Sequence, residues 1–246
     1  MLEANIISQF LEIAIPKLES STGWKVVPIQ ENGERLIAVN RFDKKLISVD
    51  PQYIKQQIPH SLSTMYLREG FANKLLKAAN LLSQGYKLLI WDAWRPLNVQ
   101  QFLFDEFKSR LQVKNPDWDE KKLITETQTY VSLPSTNSMK PSPHNTGGSV
   151  DLTICNSYDE PLPMGVEFDY FGPEVATNFY ERRTLINPQE IVFRENRRLL
   201  YHTMDDAGIS NYNEEYWHFD FGNQFDAVRT KKPYAIYGQA KLGGDK

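Results

Sequence analysis

The stretch Lys87-Leu88-Leu89-Ile90-Trp91-Asp92 is the part of the chain that decides the fold. A short apolar run bounded by charged residues is typical of a buried strand, and here it leads on to Arg95-Pro96. Upstream, apolar residues at helical spacing predict an amphipathic helix over 64–83, and Gly85 stands where a C-terminal glycine is common. A helix therefore leads into a buried strand whose carboxyl end carries charge.

Helices and strands follow each other along the rest of the chain without an internal repeat. The further predicted elements are helices over 6–13, 99–113, 120–131, 173–183 and 188–206, and strands over 149–154 and 216–221. Short β-branched runs over 25–29 and 36–39, separated by Glu31-Asn32-Gly33, predict a hairpin. We therefore predict an α+β fold in a single domain over 1–246, with a mainly antiparallel sheet and helices packed on one face.

Composition limits the class of partner. The 246 residues are 41% apolar, enough for a sizeable core, and the net charge of −3 gives no electrostatic footprint for nucleic acid or an anionic membrane. The single cysteine, Cys155, excludes an internal disulfide, and no run approaches the ~20 apolar residues that cross a bilayer. The first twenty residues do not resemble a signal peptide. We expect a cytoplasmic protein with a small-molecule partner; the oligomeric state is left open.

Two of the four histidines lie in segments that carry metal-binding residue types. His144 and Asp151 flank Gly147-Gly148, which allow the loop to turn back so that both side chains reach one point. Much later comes Glu215-Tyr216-Trp217-His218. Three imidazole or carboxylate ligands, one further acidic side chain and a water molecule make up a catalytic zinc site, so the pattern predicts a zinc hydrolase with its site at the sheet.

Each residue also has a plainer interpretation. His144 could be an exposed loop residue, Asp151 a cap at the start of a strand, and His218 a packed histidine. Arg95 can donate two parallel hydrogen bonds to an oxyanion or a carboxylate, or it can be a surface arginine paired with Asp92. His60 and His202 have no partner at a metal-binding spacing, and both are interpreted as structural.

The spacing of Glu215 and His218 conflicts with the predicted strand. Residues three apart lie on one face of a helix but on opposite faces of a strand. We therefore expect a bend or bulge at the start of the strand that turns Glu215 toward the metal. Glu214 is the alternative base if the register differs by one.

Three segments together resemble the signature segments of the VanX-type D-alanyl-D-alanine dipeptidases, which are zinc peptidases of bacterial cell-wall metabolism. The similarity extends from about Tyr66 to Tyr237, keeps the family's order and is weaker over 1–60. The segments are Trp91-Asp92-Ala93-Trp94-Arg95-Pro96, Ser142-x-His144-x-x-Gly147-x-Ser149-x-Asp151 and Glu215-x-Trp217-His218.

The resemblance implies a role for each matching residue. One zinc ion would be bound by His144, Asp151 and His218, with Glu215 as general base and acid. Arg95 would stabilise the transition state, and Ser142 would lie close to the substrate. Asp169, in the segment 163–169, would hold the free amino group of the substrate.

The chain also departs from the family pattern. Ser149 stands where alanine is usual, and the family's substrate-contacting tyrosine has no counterpart between Gly23 and Asp50. The expected function is zinc-dependent hydrolysis of a dipeptide, with D-Ala-D-Ala as the expected substrate. The alternatives are a D,D- or L,D-carboxypeptidase acting on longer muropeptides, and a metal-binding homologue without turnover.

Overall fold

The buried run after Gly85 forms an inner strand of a five-stranded sheet. The computed structural model describes residues 2–18, 21–184 and 187–243. The strands are β1 (Leu36–Ala38), β2 (Ile47–Val49), β3 (Tyr66–Arg68), β4 (Tyr86–Asp92), β5 (Ser149–Asn156), β6 (Ser210–Asn211) and β7 (His218–Asp220). The helices are α1 (Leu2–Glu12), α2 (Gln52–Lys55), α3 (Glu69–Ala79), α4 (Leu97–Lys114), α5 (Glu120–Tyr130), α6 (Pro188–Asp206) and α7 (Gln224–Arg229).

The sheet has the strand order β2-β4-β5-β7-β6, and β1 and β3 form a separate antiparallel pair. Only β2 and β4 run parallel among these described strands; the other neighbours are antiparallel. Helices α3 and α6 pack together, and α1 packs on α6. The predicted α+β class with a mainly antiparallel sheet is confirmed.

The core forms where the sequence predicted it. Leu88, Leu89 and Ile90 are each at most 1% exposed, so β4 is buried on both faces. From α3, Phe71 and Leu75 belong to the same core and are fully buried. This packing fixes the position of the carboxyl end of β4.

The strand register brings the charged ends of three strands together. Asp92 of β4 pairs with Asp151 of β5, and Asp151 pairs in turn with His218 of β7. Gly147, with φ of 69°, ends the short 3₁₀ turn Pro143–Thr146 that precedes β5. A β-carbon at Gly147 would lie 2.4 Å from the Leu36 side chain, so this turn requires glycine.

The predicted hairpin and the start of the helix predicted over 64–83 are wrong. The hairpin does not form: β1 pairs with β3, and Ile29 bridges to Ala235 near the other end of the chain. Residues 64–68, predicted as the start of a helix, include strand β3, and helix α3 begins only at Glu69. Local apolar spacing does not reveal such distant pairing partners.

The segment 173–183 was predicted as a helix but contains two 3₁₀ turns, Pro173–Val175 and Phe179–Glu181. Besides the local hydrogen bonds of these turns, several of its backbone groups have distant partners. Arg197 donates to the carbonyls of Glu174 and Ala176 at 2.8 Å, and Thr177 N–H donates to Asn213 O at 3.0 Å. Tertiary hydrogen bonds therefore override the local helical pattern.

None of the helices in the described ranges combines the length and the apolar character that crossing a bilayer requires.

Candidate metal centre and active site

His144, Asp151 and His218 converge at the end of the sheet, all three buried, with their ligand atoms within 4.8 Å of one another. His144 Nε2 lies 3.2 Å from His218 Nδ1. The Asp151 carboxylate lies 2.9 Å from His218 Nδ1 and 3.4 Å from His144 Nε2. Ligands of a tetrahedral zinc ion with bonds of about 2.0–2.1 Å stand roughly 3.3 Å apart, so the spacing suits such an ion.

The outer partners of the two rings determine which nitrogen faces the centre. His144 Nδ1 is 2.7 Å from the Ala93 carbonyl, which can only accept, so Nδ1 carries the hydrogen and Nε2 presents a lone pair. His218 Nε2 is 3.2 Å from Asp220 Oδ1, which leaves the Nδ1 lone pair pointing inward. Two lone pairs and a carboxylate thus face one another in a buried space. Such a set requires a cation or a proton among its members.

The protonation behaviour of His218 agrees with this conclusion. Burial alone would lower the pKa of His218, but the charge of Asp220 and the contacts with Asp151 raise that pKa to about 10. The same histidines hold the pKa of Asp151 far below its ordinary value despite burial. The centre therefore attracts positive charge, and its donor set fits a metal ion.

Asp220 is the group that orients the His218 ring. It is fully buried, and its Oδ1 accepts from Ser149 Oγ and from Asn223 Nδ2, both at 2.6 Å. Its Oδ2 forms an ion pair with Arg229. Although burial opposes ionisation, His218 and Arg229 hold the pKa of Asp220 well below its ordinary value. A carboxylate fixed from several sides holds the imidazole in one orientation.

Glu215 reaches the same space from a turn before β7. The Glu215 carbonyl accepts from His218 N–H at 3.4 Å, so the turn closes before the strand begins. This turn takes the place of the expected bend or bulge and brings Glu215 Oε2 to 4.0 Å from His218 Nδ1. Glu214 is exposed and accepts from the side chain of its neighbour Asn213. Of the two candidate bases, Glu215 is the one that lines the cavity.

The environment of Glu215 favours its neutral form. Burial raises the pKa of its carboxyl group to about 8, the charges of Asp151 and Asp169 add to the rise, and His218 and Arg95 oppose it. A cation at the metal centre would oppose the rise as well, because it favours the ionised carboxylate.

Arg95 is buried, and three side chains accept or share hydrogen bonds with its guanidinium group. It donates to Asp92 Oδ2 at 2.9 Å, to Gln100 Oε1 at 2.7 Å and to the Tyr53 hydroxyl at 3.2 Å. Its Nη2 is also 3.5 Å from Asp151 Oδ2. The pairing of Arg95 with Asp92 is confirmed, but the surface position considered for it is wrong. The guanidinium faces the metal centre.

A cavity of about 140 Å³ adjoins the centre. Asp169 lines it, with a left-handed backbone (φ 59°) and a hydrogen bond from the Gln56 side chain. Burial raises the pKa of Asp169 to about 7; Arg95 lowers that pKa, and Asp151 and Asp92 raise it further. Ser142 is buried, and its hydroxyl donates to the Leu133 carbonyl at 3.2 Å. Among the described residues the lining includes the neighbouring Pro143 but not Ser142.

Sequence reasoning missed several residues of this cavity. Tyr53 lines it beside Arg95, three positions beyond Asp50, where the segment without a matching tyrosine ends. Gln100 joins Arg95 to the Ser132 carbonyl through both ends of its amide. Neither residue stands at a distinctive spacing. For Gln100 the available signal was its proximity to a motif, since it follows Arg95 by five positions.

Comparison with known proteins agrees with this geometry. The peptidase M15 family model, described as D-ala-D-ala dipeptidase, matches residues 41–236. A D-alanyl-D-alanine dipeptidase of Synechocystis sp. is 29% identical over 239 residues, covering 89% of this chain and 96% of the relative. A D-alanyl-D-alanine dipeptidase of Enterococcus faecium is 31% identical over 155 residues, covering 60% of this chain and 69% of the relative.

The family match and the relatives indicate a metallopeptidase acting on a small peptide. Because the family model spans most of the chain, the chain belongs to the peptidase M15 family of D-Ala-D-Ala dipeptidases. The resemblance noted in the sequence is confirmed, and membership argues against a metal-binding homologue without turnover.

Proposed function

We propose that this enzyme is a zinc-dependent dipeptidase that hydrolyses D-Ala-D-Ala. The observation that carries the proposal is the convergence of His144 Nε2, His218 Nδ1 and the Asp151 carboxylate in a buried space next to Glu215. When bound there by these three side chains, zinc would supply Lewis acidity to the scissile carbonyl and bring the pKa of a water molecule toward ~7.

Glu215 is proposed to act as general base and then as general acid. Its carboxylate would accept a proton from the attacking water and deliver that proton to the nitrogen of the leaving residue. Burial favours the protonated form of Glu215, so the side chain can hold the proton between the two steps. A carboxylate with an ordinary pKa would hold it less well.

Arg95 is proposed to stabilise the negative charge that develops on the carbonyl oxygen. Its contacts with Asp92, Gln100 and Tyr53 fix the guanidinium before any substrate arrives. A donor held in advance needs little reorganisation during the reaction, and this makes such electrostatic stabilisation effective.

Asp169 is proposed to bind the free ammonium group of the substrate, which selects dipeptides over longer or blocked peptides. In support, its carboxyl lies in the same cavity as Arg95 and Glu215. The pKa of Asp169 is raised because its burial outweighs the charge of Arg95, and a substrate ammonium would add a second positive charge. Contact of Ser142 with the substrate stays a prediction, and the cytoplasm stays the proposed location.

The test combines metal content with a substrate panel. Purified protein should contain one zinc per chain and hydrolyse D-Ala-D-Ala, while His218→Ala should lose zinc and activity together. His202→Ala is the matched control, because His202 binds the Ile13 carbonyl outside the cavity. Full zinc occupancy in His218→Ala protein would contradict the ligand set.

The substrate part of the test uses N-acetyl-D-Ala-D-Ala. Losing one partner of a buried charge pair costs ~2–5 kcal/mol, so acetylation should lower kcat/KM by ~30-fold or more. Asp169→Asn keeps a residue type that tolerates left-handed backbone, and it should remove most of this discrimination. Equal turnover of free and acetylated dipeptides by the unmodified enzyme would instead favour a carboxypeptidase acting on longer muropeptides.

A further inference from the structure

Among the aromatic residues that line the catalytic cavity, three from outside the sequence motifs form one cluster. They are Phe107 of α4, Tyr130 at the end of α5 and Phe171, which follows Asp169 by two positions. We call these three the aromatic wall. Its rings contact one another, with centroid distances of 4.5 Å for Phe107–Phe171, 5.4 Å for Phe107–Tyr130 and 5.6 Å for Tyr130–Phe171.

The aromatic wall keeps part of its apolar surface in contact with solvent. Tyr130 is 45% exposed and Phe171 is 39% exposed, whereas Phe107 is almost buried beneath them. Leu103 and Val131 line the cavity as well and extend the apolar surface. An exposed apolar patch that continues into a catalytic cavity is typical of a ligand-binding surface.

The wall offers little to a substrate built only from alanine. Two methyl groups bury a small area, whereas a phenyl or long aliphatic side chain can stack on exposed rings. Near the metal centre the lining includes the charged residues Arg95, Asp169 and Glu215, and those groups suit the backbone of a dipeptide. The wall therefore corresponds to a part of the substrate that is apolar and larger than a methyl group.

We propose that the aromatic wall is a subsite for a large apolar side chain, so that the enzyme also takes dipeptides carrying one aromatic or long aliphatic residue. This inference rests on the proposed dipeptidase function and deepens it. Phe171 shares a short segment with Asp169, and the α-carbon that bears the substrate ammonium also bears a side chain. The side chain of the amino-terminal residue is thus the nearer one to the wall.

The test compares D-Ala-D-Ala, D-Phe-D-Ala and D-Ala-D-Phe in the zinc-loaded enzyme and in its Phe171→Ala variant. Unmodified enzyme should hydrolyse at least one phenylalanyl dipeptide, and Phe171→Ala should lower the ratio of its kcat/KM to that of D-Ala-D-Ala by about ten-fold. Ten-fold corresponds to ~1.4 kcal/mol, within the range for one aromatic contact. A preference for D-Phe-D-Ala assigns the wall to the amino-terminal residue, and a preference for D-Ala-D-Phe assigns it to the other residue.

Tyr170→Ala is the matched control. Tyr170 is the neighbour of Phe171 and is 43% exposed, but its hydroxyl binds Glu174 and it does not line the cavity. This variant should leave the ratio of kcat/KM values unchanged. If unmodified enzyme hydrolyses D-Ala-D-Ala but neither phenylalanyl dipeptide, or if Tyr170→Ala lowers the ratio as much as Phe171→Ala, the subsite is wrong.

Calorimetric binding to Glu215→Gln protein separates this proposal from the dipeptidase proposal. If Glu215→Gln protein binds a phenylalanyl dipeptide and Phe171→Ala weakens this binding about ten-fold, the aromatic wall is supported. This holds even if the unmodified enzyme hydrolyses none of the dipeptides, and that result would refute only the proposed function. Hydrolysis of D-Ala-D-Ala without any such dependence on Phe171 would refute only the wall.

Discussion

The two ends of the cavity differ in what fixes their side chains. At the inner end, Arg95 has three side-chain hydrogen-bond partners closer than 3.3 Å, and His218 is held by Asp220, which has partners of its own. At the outer end, Phe107, Tyr130 and Phe171 contact one another mainly through their rings. Directional bonds define one geometry, whereas apolar contacts tolerate several. We infer that the inner end determines the reaction and the outer end determines which substrates are preferred.

The largest effect should follow from Glu215→Gln. The amide keeps the shape of the side chain but cannot accept a proton, so kcat should fall by ~10³-fold or more while zinc stays bound. The loss should be equal for alanyl and phenylalanyl dipeptides, unlike the selective loss in Phe171→Ala. Steady-state kinetics and metal analysis on the same preparations check both statements.

Glu214→Gln is the control for this prediction, because Glu214 is exposed and bonds to Asn213. It should keep nearly full activity. An inactive Glu214→Gln enzyme would mean that the base is assigned to the wrong glutamate.

The same division separates what the sequence could predict from what it could not. The residues of the inner end lie within glycine-containing or aromatic motifs whose spacing the chemistry requires. The apolar run from Leu88 to Ile90 also indicates a buried strand in the sequence itself. The outer residues carry no such signal. Phe104 and Phe107 stand one turn apart on α4, yet Phe104 is 3% exposed in the protein interior and Phe107 lines the cavity. The contacts of Phe107 with Tyr130 and Phe171 distinguish the two residues, and both contacts depend on the tertiary structure.

The pairing of strands that are distant in sequence could not be predicted either. Tyr53 reaches Arg95 because β2 pairs with β4 in the sheet. No local sequence pattern predicts a parallel strand of three residues. Glu215 shows the opposite case. Its spacing from His218 conflicted with a regular strand, and the conflict correctly indicated a local change of backbone, which is a turn.

A smaller effect should follow from Asp220→Asn, which tests how the inner end is held. Loss of the charge beside His218 Nε2 should weaken zinc binding ~10- to 100-fold, as measured by competition with a chromophoric chelator. The variant should also be less stable, because Arg229 loses its buried partner.

Asp226→Asn distinguishes the two effects. Asp226 is equally buried and accepts from Gly222 N–H and Lys232 Nζ, both at 2.9 Å, but it does not contact His218. It should lower the unfolding temperature and leave zinc affinity unchanged. Zinc affinity that falls equally in both variants would show that Asp220 acts only through general stability.

The smallest effect should follow from Ser149→Ala, which removes one donor to Asp220 and leaves Asn223 and Arg229 in place. One hydrogen bond to a charged group contributes ~1.5–3 kcal/mol to stability. Only a part of this loss should affect metal binding, so zinc affinity should fall by a few-fold.

Thr153→Val is the matched control on the same strand, since the buried Thr153 hydroxyl has no hydrogen-bond partner. Removing that hydroxyl should leave zinc affinity unchanged and stability equal or higher, because an unsatisfied buried polar group is replaced by an apolar one. Chelator competition and thermal unfolding of both variants test the contrast. Equal zinc affinities in Ser149→Ala and unmodified protein would mean that Asn223 and Arg229 suffice to hold Asp220, and that the inner end tolerates the loss of one contact as the outer end does.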